Sequence, residues 1–152
     1  MGAIRVGSSM PKIALPDQDK NLVDVSAIPG IRLLSFHPLA WTNVCQRQME
    51  ALEMNFDALA ELNAQAVGIS VDPVPSKKAW ADAIGVKRTR LLSDFWPHGA
   101  AASSLGLFRP KDGFSERASV LVDGSNTIRF VKVHPIREAP DIEELLEAIR
   151  TL

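Results

Sequence analysis

The chain alternates short apolar runs with segments whose apolar residues recur at helical spacing, and this alternation limits its fold more than any other feature. Residues 32–37 (Arg-Leu-Leu-Ser-Phe-His) form a short apolar run that Pro38 stops. Residues 43–63 follow, with Met49, Leu52, Phe56 and Leu59 on one helical face. Residues 66–71 (Ala-Val-Gly-Ile-Ser-Val) form a second buried-strand candidate, stopped by Asp72-Pro73. A helix is predicted from Ser76, as N-cap, through Ile84, with Gly85 as its stop. A short strand at 91–93 and a short Ala-rich helix at 99–105 come next. Strands at 118–122 and 127–133 flank Asp123-Gly124-Ser125-Asn126, a hairpin loop. Pro140 opens a last helix with Ile142, Leu145, Leu146 and Ile149 on one side. At the front, residues 12–15 and 21–25 flank Pro16-Asp17-Gln18-Asp19-Lys20 as a short hairpin. Strands alternating with helices predict an α/β fold, a central sheet covered on both faces; the closing hairpin makes that sheet mixed.

Length and composition narrow the function classes. At 152 residues the chain is expected to form a single domain, residues 1–152, with a core large enough to fold without disulfide or metal. Hydrophobic residues at 46% and charged residues at 23% are globular values, which excludes a disordered tail. Seventeen Lys and Arg against 18 Asp and Glu leave no basic surplus, so a nucleic-acid partner is not expected. The tightest basic cluster, Lys87, Arg88 and Arg90, reads as a solvated loop. The uncharged stretches 33–46 and 95–108 are shorter than the ~18 apolar residues of a spanning helix, so no membrane segment is expected and the default location is the cytoplasm. The single cysteine fits that compartment and excludes an internal disulfide.

That cysteine, Cys45, falls after a strand and a loop, in the first turn of the long helix. Unpaired N–H groups and the positive end of the helix dipole meet there, a setting that favours thiolate, the reactive form. On its own a lone cysteine is more often buried and inert. Thr42 stands three residues before it, where a hydroxyl can reach the Cys45 N–H or thiol, or act as an ordinary N-cap. Pro38 closes the strand and fixes the loop. His37, His98 and His134 have no metal-ligand spacing among themselves or with Cys45, and no metal or cofactor is expected. There is no C-x-x-C, G-x-S-x-G, P-loop or G-x-G-x-x-G.

Residues 38–45, Pro-Leu-Ala-Trp-Thr-Asn-Val-Cys, form P-x-x-x-T-x-x-C. This pattern resembles the active-site signature of the peroxiredoxins, thiol-dependent peroxidases with a thioredoxin-like fold. Residues 7–17 resemble that family's N-terminal hairpin, Phe36-His37-Pro38 its strand end, and residues 116–123 (Glu-Arg-Ala-Ser-Val-Leu-Val-Asp) the strand that carries its active-site arginine. Ser93-Asp94-Phe95-Trp96-Pro97-His98-Gly99-Ala100, the single cysteine and the short C-terminus are similar to the one-cysteine subgroup typified by alkyl hydroperoxide reductase E. Two positions depart from the family: Trp41 replaces a usual Phe, and Gln48 a usual Glu. Neither departure is expected to touch the core site residues.

The resemblance implies a thioredoxin-like fold with an added N-terminal β-hairpin and an antioxidant role. Cys45 would attack a peroxide and become a sulfenic acid. Arg117 would stand beside the sulfur, Thr42 would exchange a hydrogen bond with the peroxide, and Pro38 would shield the sulfur from water. Substrates would be hydrogen peroxide or organic hydroperoxides. With no second thiol in the chain, an external one must recycle Cys45: a low-molecular-weight thiol, a glutaredoxin-like protein or a thioredoxin. The resemblance also implies a homodimer. The alternatives are a peroxide sensor or redox-regulated binding module using the same cysteine, and a catalytically dead scaffold.

Overall fold

The computed structural model describes residues 2–152. It opens with an antiparallel hairpin, β1 (Ala14–Pro16) and β2 (Leu22–Asp24), followed by a 3-10 turn at Val25–Ala27. Then come β3 (Ile31–Phe36), α1 (Asn43–Met54), α2 (Phe56–Glu61), β4 (Ala64–Ser70), α3 (Val74–Ile84), β5 (Arg90–Ser93) and α4 (Ala100–Ser104). A two-residue ladder of β6 (Phe108–Arg109) and β7 (Phe114–Ser115) precedes β8 (Arg117–Val122), β9 (Ile128–His134) and α5 (Ile142–Arg150). The central sheet has the order β5-β4-β3-β8-β9. β5, β4 and β3 run parallel, and β8 and β9 are antiparallel to their neighbours, which gives the mixed sheet that the alternation predicts.

Period two in the strands sorts the core into two faces. Leu33, Leu91 and Leu121 point to α1, α2, α3 and α5, where they meet Met49, Leu52, Trp80 and Leu146. Leu34, Phe36, Ile69 and Val120 point to the N-terminal hairpin and α4. Leu33, Leu34 and Phe36 are wholly buried, and each contributes about 1.5–3 kcal/mol by leaving water. Gly68 in β4 is a packing requirement. A Cβ there would lie 2.4 Å from Met49 Sδ and 2.9 Å from Leu91 Cδ2, so glycine lets α1 settle onto the sheet.

Most element ends differ from the sequence reading by one or two residues, and three departures are larger or of another kind. The predicted helix 43–63 breaks at Asn55 (φ −102°, ψ 15°), whose side-chain amide donates to the Ala51 carbonyl. α3 begins at Val74, ahead of Ser76, because Pro75 lies in a first turn whose N–H groups have no intrahelical partner anyway. Its end at Gly85, in the left-handed region (φ +77°), is as expected. The β6-β7 ladder was not expected; two-residue strands give no periodicity to read.

Arg32, the second residue of β3, is buried. Its guanidinium donates to the carbonyls of Val25, Ser26, Ile28 and Asp123, tying the 3-10 turn and the β8-β9 loop to the sheet.

Candidate active site

The loop between β3 and α1 is fixed at both ends. The His37 N–H still donates to the Ile69 carbonyl of β4 (3.0 Å), and then buried Pro38 ends the ladder. The Ala40 N–H donates to Asp72 Oδ2 (2.8 Å). Trp41 takes a left-handed conformation (φ +69°), unusual for a bulky residue. Its side chain is 57% exposed, and its Nε1 donates to Ser76 Oγ (3.1 Å).

Thr42 is the N-cap residue by backbone (φ −111°, ψ 149°), but its hydroxyl caps nothing. It donates instead to the Leu39 carbonyl (2.8 Å). The expected contact of this hydroxyl with the Cys45 N–H or thiol is therefore absent, because the tight turn after Pro38 brings a carbonyl closer. Its oxygen lone pairs are left able to accept.

Cys45 is the third residue of α1 and 1% exposed. Gln46 N–H closes the first turn on the Thr42 carbonyl (2.9 Å), so the N–H groups of Asn43, Val44 and Cys45 have no partner four residues back. One side of the sulfur joins the apolar cluster of Met49 and Leu52. On the other side Arg117, the buried first residue of β8, places Nη1 3.2 Å from Sγ.

Gln48, one turn further along α1, is buried and directly engaged. The Arg117 Nη1 donates to its Oε1 (2.8 Å), while its Nε2 donates to Ser35 Oγ (2.8 Å) and the Phe36 carbonyl (3.0 Å). This corrects the expectation that the departure at Gln48 leaves the site residues untouched. The remaining Arg117 contacts are from Nε and Nη2 to the Ile136 carbonyl (3.0 and 2.8 Å). Every Arg117 partner but the sulfur is a neutral acceptor, and among the described residues no carboxylate pairs with it. The Gln48 amide holds the guanidinium without setting a counter-charge beside it.

Behind this group lies a second one, whose members no local spacing joins. His37 is wholly buried, with its ring 5.5 Å from that of Trp80. Lys77 of α3 is also wholly buried, with Nζ 3.2 Å from His37 Nε2 and 2.6 Å from Ser70 Oγ. Ser70 in turn donates to Asp72 Oδ2 (2.6 Å). Burial, then the Lys77 charge, and more weakly Arg117, hold His37 well below the usual histidine range against its contact with the Ser35 carbonyl. Burial also lowers Lys77 to about 7, opposed by the charges of Asp72, Cys45 and Asp94.

The remaining candidates have structural partners. His98 Nε2 meets the Gly113 carbonyl (2.8 Å) and its ring packs edge-on against Phe95 and Phe108. His134 Nε2 lies 2.9 Å from Ser119 Oγ. Asp94 accepts from the Ala101 and Ala102 N–H groups and so holds α4. In the basic loop, Arg88 pairs with Asp57, and Glu53 accepts from the backbone of Lys87, Arg88 and Thr89. Among the described residues no group of three or more His, Cys, Asp or Glu is placed to hold a metal ion. No helix among them is long and apolar enough to cross a membrane. A cleft of about 330 Å³ beside Phe56 and Asn63 and one of about 550 Å³ beside Gly106 and Arg109 both lie apart from Cys45.

Comparison with known proteins bears on the fold and the family. Residues 6–131 match the model of the AhpC/TSA family. The alkyl hydroperoxide reductase E of Mycobacterium tuberculosis (strain ATCC 25618 / H37Rv) is 35% identical over 151 residues, 98% of this chain and 98% of that protein. The crystal structure of peroxidoxin BcpB from Mycobacterium tuberculosis has a TM-score of 0.87 at 25% identity and covers 98% of both chains. That of the reduced 2-Cys peroxiredoxin of Plasmodium vivax has a TM-score of 0.87 at 27% identity, covering 95% of this chain and 80% of that one. The mixed sheet with flanking helices is thus a thioredoxin-like fold, and the chain belongs to the AhpC/TSA family of peroxiredoxins.

Proposed function

We propose that the chain reduces hydrogen peroxide and organic hydroperoxides through Cys45. The observation that carries this reading is the 3.2 Å contact between the Arg117 guanidinium and the one thiol, made across 72 residues of chain. In the reaction the Cys45 thiolate attacks the terminal peroxide oxygen and the O–O bond breaks. Sulfur loses two electrons and becomes a sulfenic acid, and the other oxygen leaves as an alkoxide or hydroxide that takes a proton from water. Arg117 favours the thiolate and donates to the negative charge that develops on oxygen. The Cys45 N–H adds a second donor at the start of α1. Thr42, whose own proton is taken by the Leu39 carbonyl, accepts from the peroxide O–H. Pro38, which has no N–H, keeps water from the sulfur.

Recycling needs an external thiol, because the chain has one cysteine. A first thiol condenses with the sulfenic acid, releasing water and leaving a mixed disulfide; a second displaces it, giving back Cys45 and a disulfide of the reductant. A low-molecular-weight thiol, a glutaredoxin-like protein and a thioredoxin all fit this chemistry. We extend the reading to a homodimer in the cytoplasm. Exposed Trp41, Phe95 and Trp96 support an interface, and a lone thiol suits a reducing compartment.

The test is consumption of hydrogen peroxide and of an organic hydroperoxide by the purified chain with each thiol class. Many turnovers with at least one thiol are expected, and none in Cys45→Ser. Consumption of one equivalent and no more, whatever thiol is added, would replace the enzyme with a one-shot sensor.

A further inference from the structure

Lys77 has no structural reason to be a lysine. Its ammonium is wholly buried, and among the described residues it makes no ion pair with a carboxylate. It rests on two neutral groups, His37 Nε2 and Ser70 Oγ. Taking an ammonium out of water is costly, and an apolar residue of similar volume is generally as stable or more so in such a place. With Nζ donating to Nε2, the His37 proton sits on Nδ1, which lies 3.4 Å from the Ser35 carbonyl. Ser35 Oγ accepts from Gln48, Gln48 accepts from Arg117, and Arg117 meets the sulfur. A buried run of polar contacts therefore leads from Lys77 to Cys45, with a cation near each end and the sulfur beside the second.

We propose that Lys77 is a positioning residue for Cys45: its buried ammonium, held by His37 and Ser70, adds to Arg117 the second positive charge in whose field the thiolate forms. The proposal rests on the thiol chemistry proposed above and adds a residue that the active-site signature does not include. The titratable groups whose fields reach Lys77 are His37 from the end of β3, Asp72 after β4, Asp94 after β5 and Cys45 from α1. Asp72 and Asp94 are already engaged, by Ser70 and the Ala40 N–H and by the first turn of α4. Cys45 is the one whose charge appears and disappears during a reaction cycle. Coupling between two sites is reciprocal: whatever the ammonium does for the thiolate, the thiolate does for the ammonium.

Reciprocity supplies the test, and neither measurement uses peroxide, so absence of peroxidase turnover would leave both readable. The chain has one cysteine and no tyrosine, so ultraviolet thiolate absorbance reports Cys45 alone, with Cys45→Ser as baseline. In Lys77→Met the pH at which the sulfur ionises is expected to rise by about one unit, a roughly tenfold smaller thiolate population at acidic pH. In Cys45→Ser, side-chain NMR of Lys77 is expected to show its ammonium titrating lower than in wild type by the same amount. Should Lys77→Met fail to fold, the NMR comparison decides alone. An unmoved Lys77 titration in Cys45→Ser would overturn the proposal, even if Lys77→Met shifts the thiol, because the shift would then be a rearrangement. An unmoved thiol in folded Lys77→Met would overturn it equally.

Discussion

Gln48 Oε1 and Arg117 Nη1 lie 2.8 Å apart, and the same nitrogen is 3.2 Å from Cys45 Sγ. A neutral amide fixes the guanidinium without cancelling its charge, so among the described residues that touch Arg117 the sulfur is the one group that can become its counter-ion. On the proposed reaction, the residue at position 48 would then govern the charge beside the thiolate.

Gln48→Glu would place a carboxylate where the amide now accepts. It would compete with the thiolate for the guanidinium, and it would set an acceptor against the Phe36 carbonyl. The pH at which Cys45 ionises is expected to rise by roughly one unit, and the peroxide rate below that pH to fall by up to about tenfold. Ultraviolet titration and stopped-flow rates measure both. An unchanged titration would mean that the amide partner does not govern the charge.

Arg117 supplies geometry as well as charge, since Nη1 serves the sulfur while Nε and Nη2 hold the Ile136 carbonyl. Arg117→Ala is expected to raise the barrier to peroxide reduction by about 2.7–4 kcal/mol, the usual effect of losing one preorganised donor. Arg117→Lys returns the charge but not the planar fork, so only partial recovery is expected. Equal rates in wild type and Arg117→Ala would remove the residue from the reaction.

Because the chain has a single thiol, oxidation has no partner within it. Intact mass after peroxide treatment without thiol is expected to rise by one or more oxygen atoms on Cys45. With a small thiol present, the adduct of that thiol should appear instead. Quantitative conversion to a Cys45-linked dimer would contradict this.

The sheet was legible because its strands are apolar runs with clear stops, and the position of Cys45 because Pro38 and Thr42 punctuate the chain before it. The break at Asn55 was hidden: Leu52, Phe56 and Leu59 keep helical spacing on either side of it. The start of α3 was misplaced because Ser76 is a better N-cap than Pro73 on propensity, while Pro75 fits the first turn equally well. Gln48, His37 and Lys77 could not be joined from sequence. They are polar residues that fold into the interior, and the contacts that join His37 to Lys77 and Gln48 to Arg117 span 40 and 69 positions, beyond the reach of any local period.

Arg32 tests the scaffold apart from the site. Arg32→Leu would strip the carbonyls of Val25, Ser26, Ile28 and Asp123 of a shared donor in the interior. The Val25 and Asp123 carbonyls keep the N–H groups of Ile28 and Asn126, so the Ser26 and Ile28 carbonyls are the ones left without a donor. A loss of roughly 3–5 kcal/mol is expected from urea unfolding, because each buried acceptor left unpaired costs about 1–3 kcal/mol. The thiolate titration should stay where it is, since Arg32 lies at the far end of β3 from Cys45. A loss below about 1 kcal/mol would show that water takes over these carbonyls.

Lys77 makes stability depend on pH in a direction opposite to an ordinary lysine that gains an ion pair. Its folded value is lowered to about 7, with burial the main cause, against an ordinary 10.5. Between these two values the unfolded chain binds the proton and the folded chain does not, so the stability to unfolding rises with pH across that window. Below about pH 7 both states are protonated and the full desolvation penalty remains. Urea midpoints measured in a Cys45→Ser background, where no thiol titrates, should therefore climb from pH 7 towards 10. With Lys77→Met added the climb should vanish, and at pH 7 the variant should be the more stable by an amount on the order of a few kcal/mol. Parallel curves for the two proteins would mean that the ammonium is stabilised where it lies, and that its burial carries no penalty for the thiolate to offset.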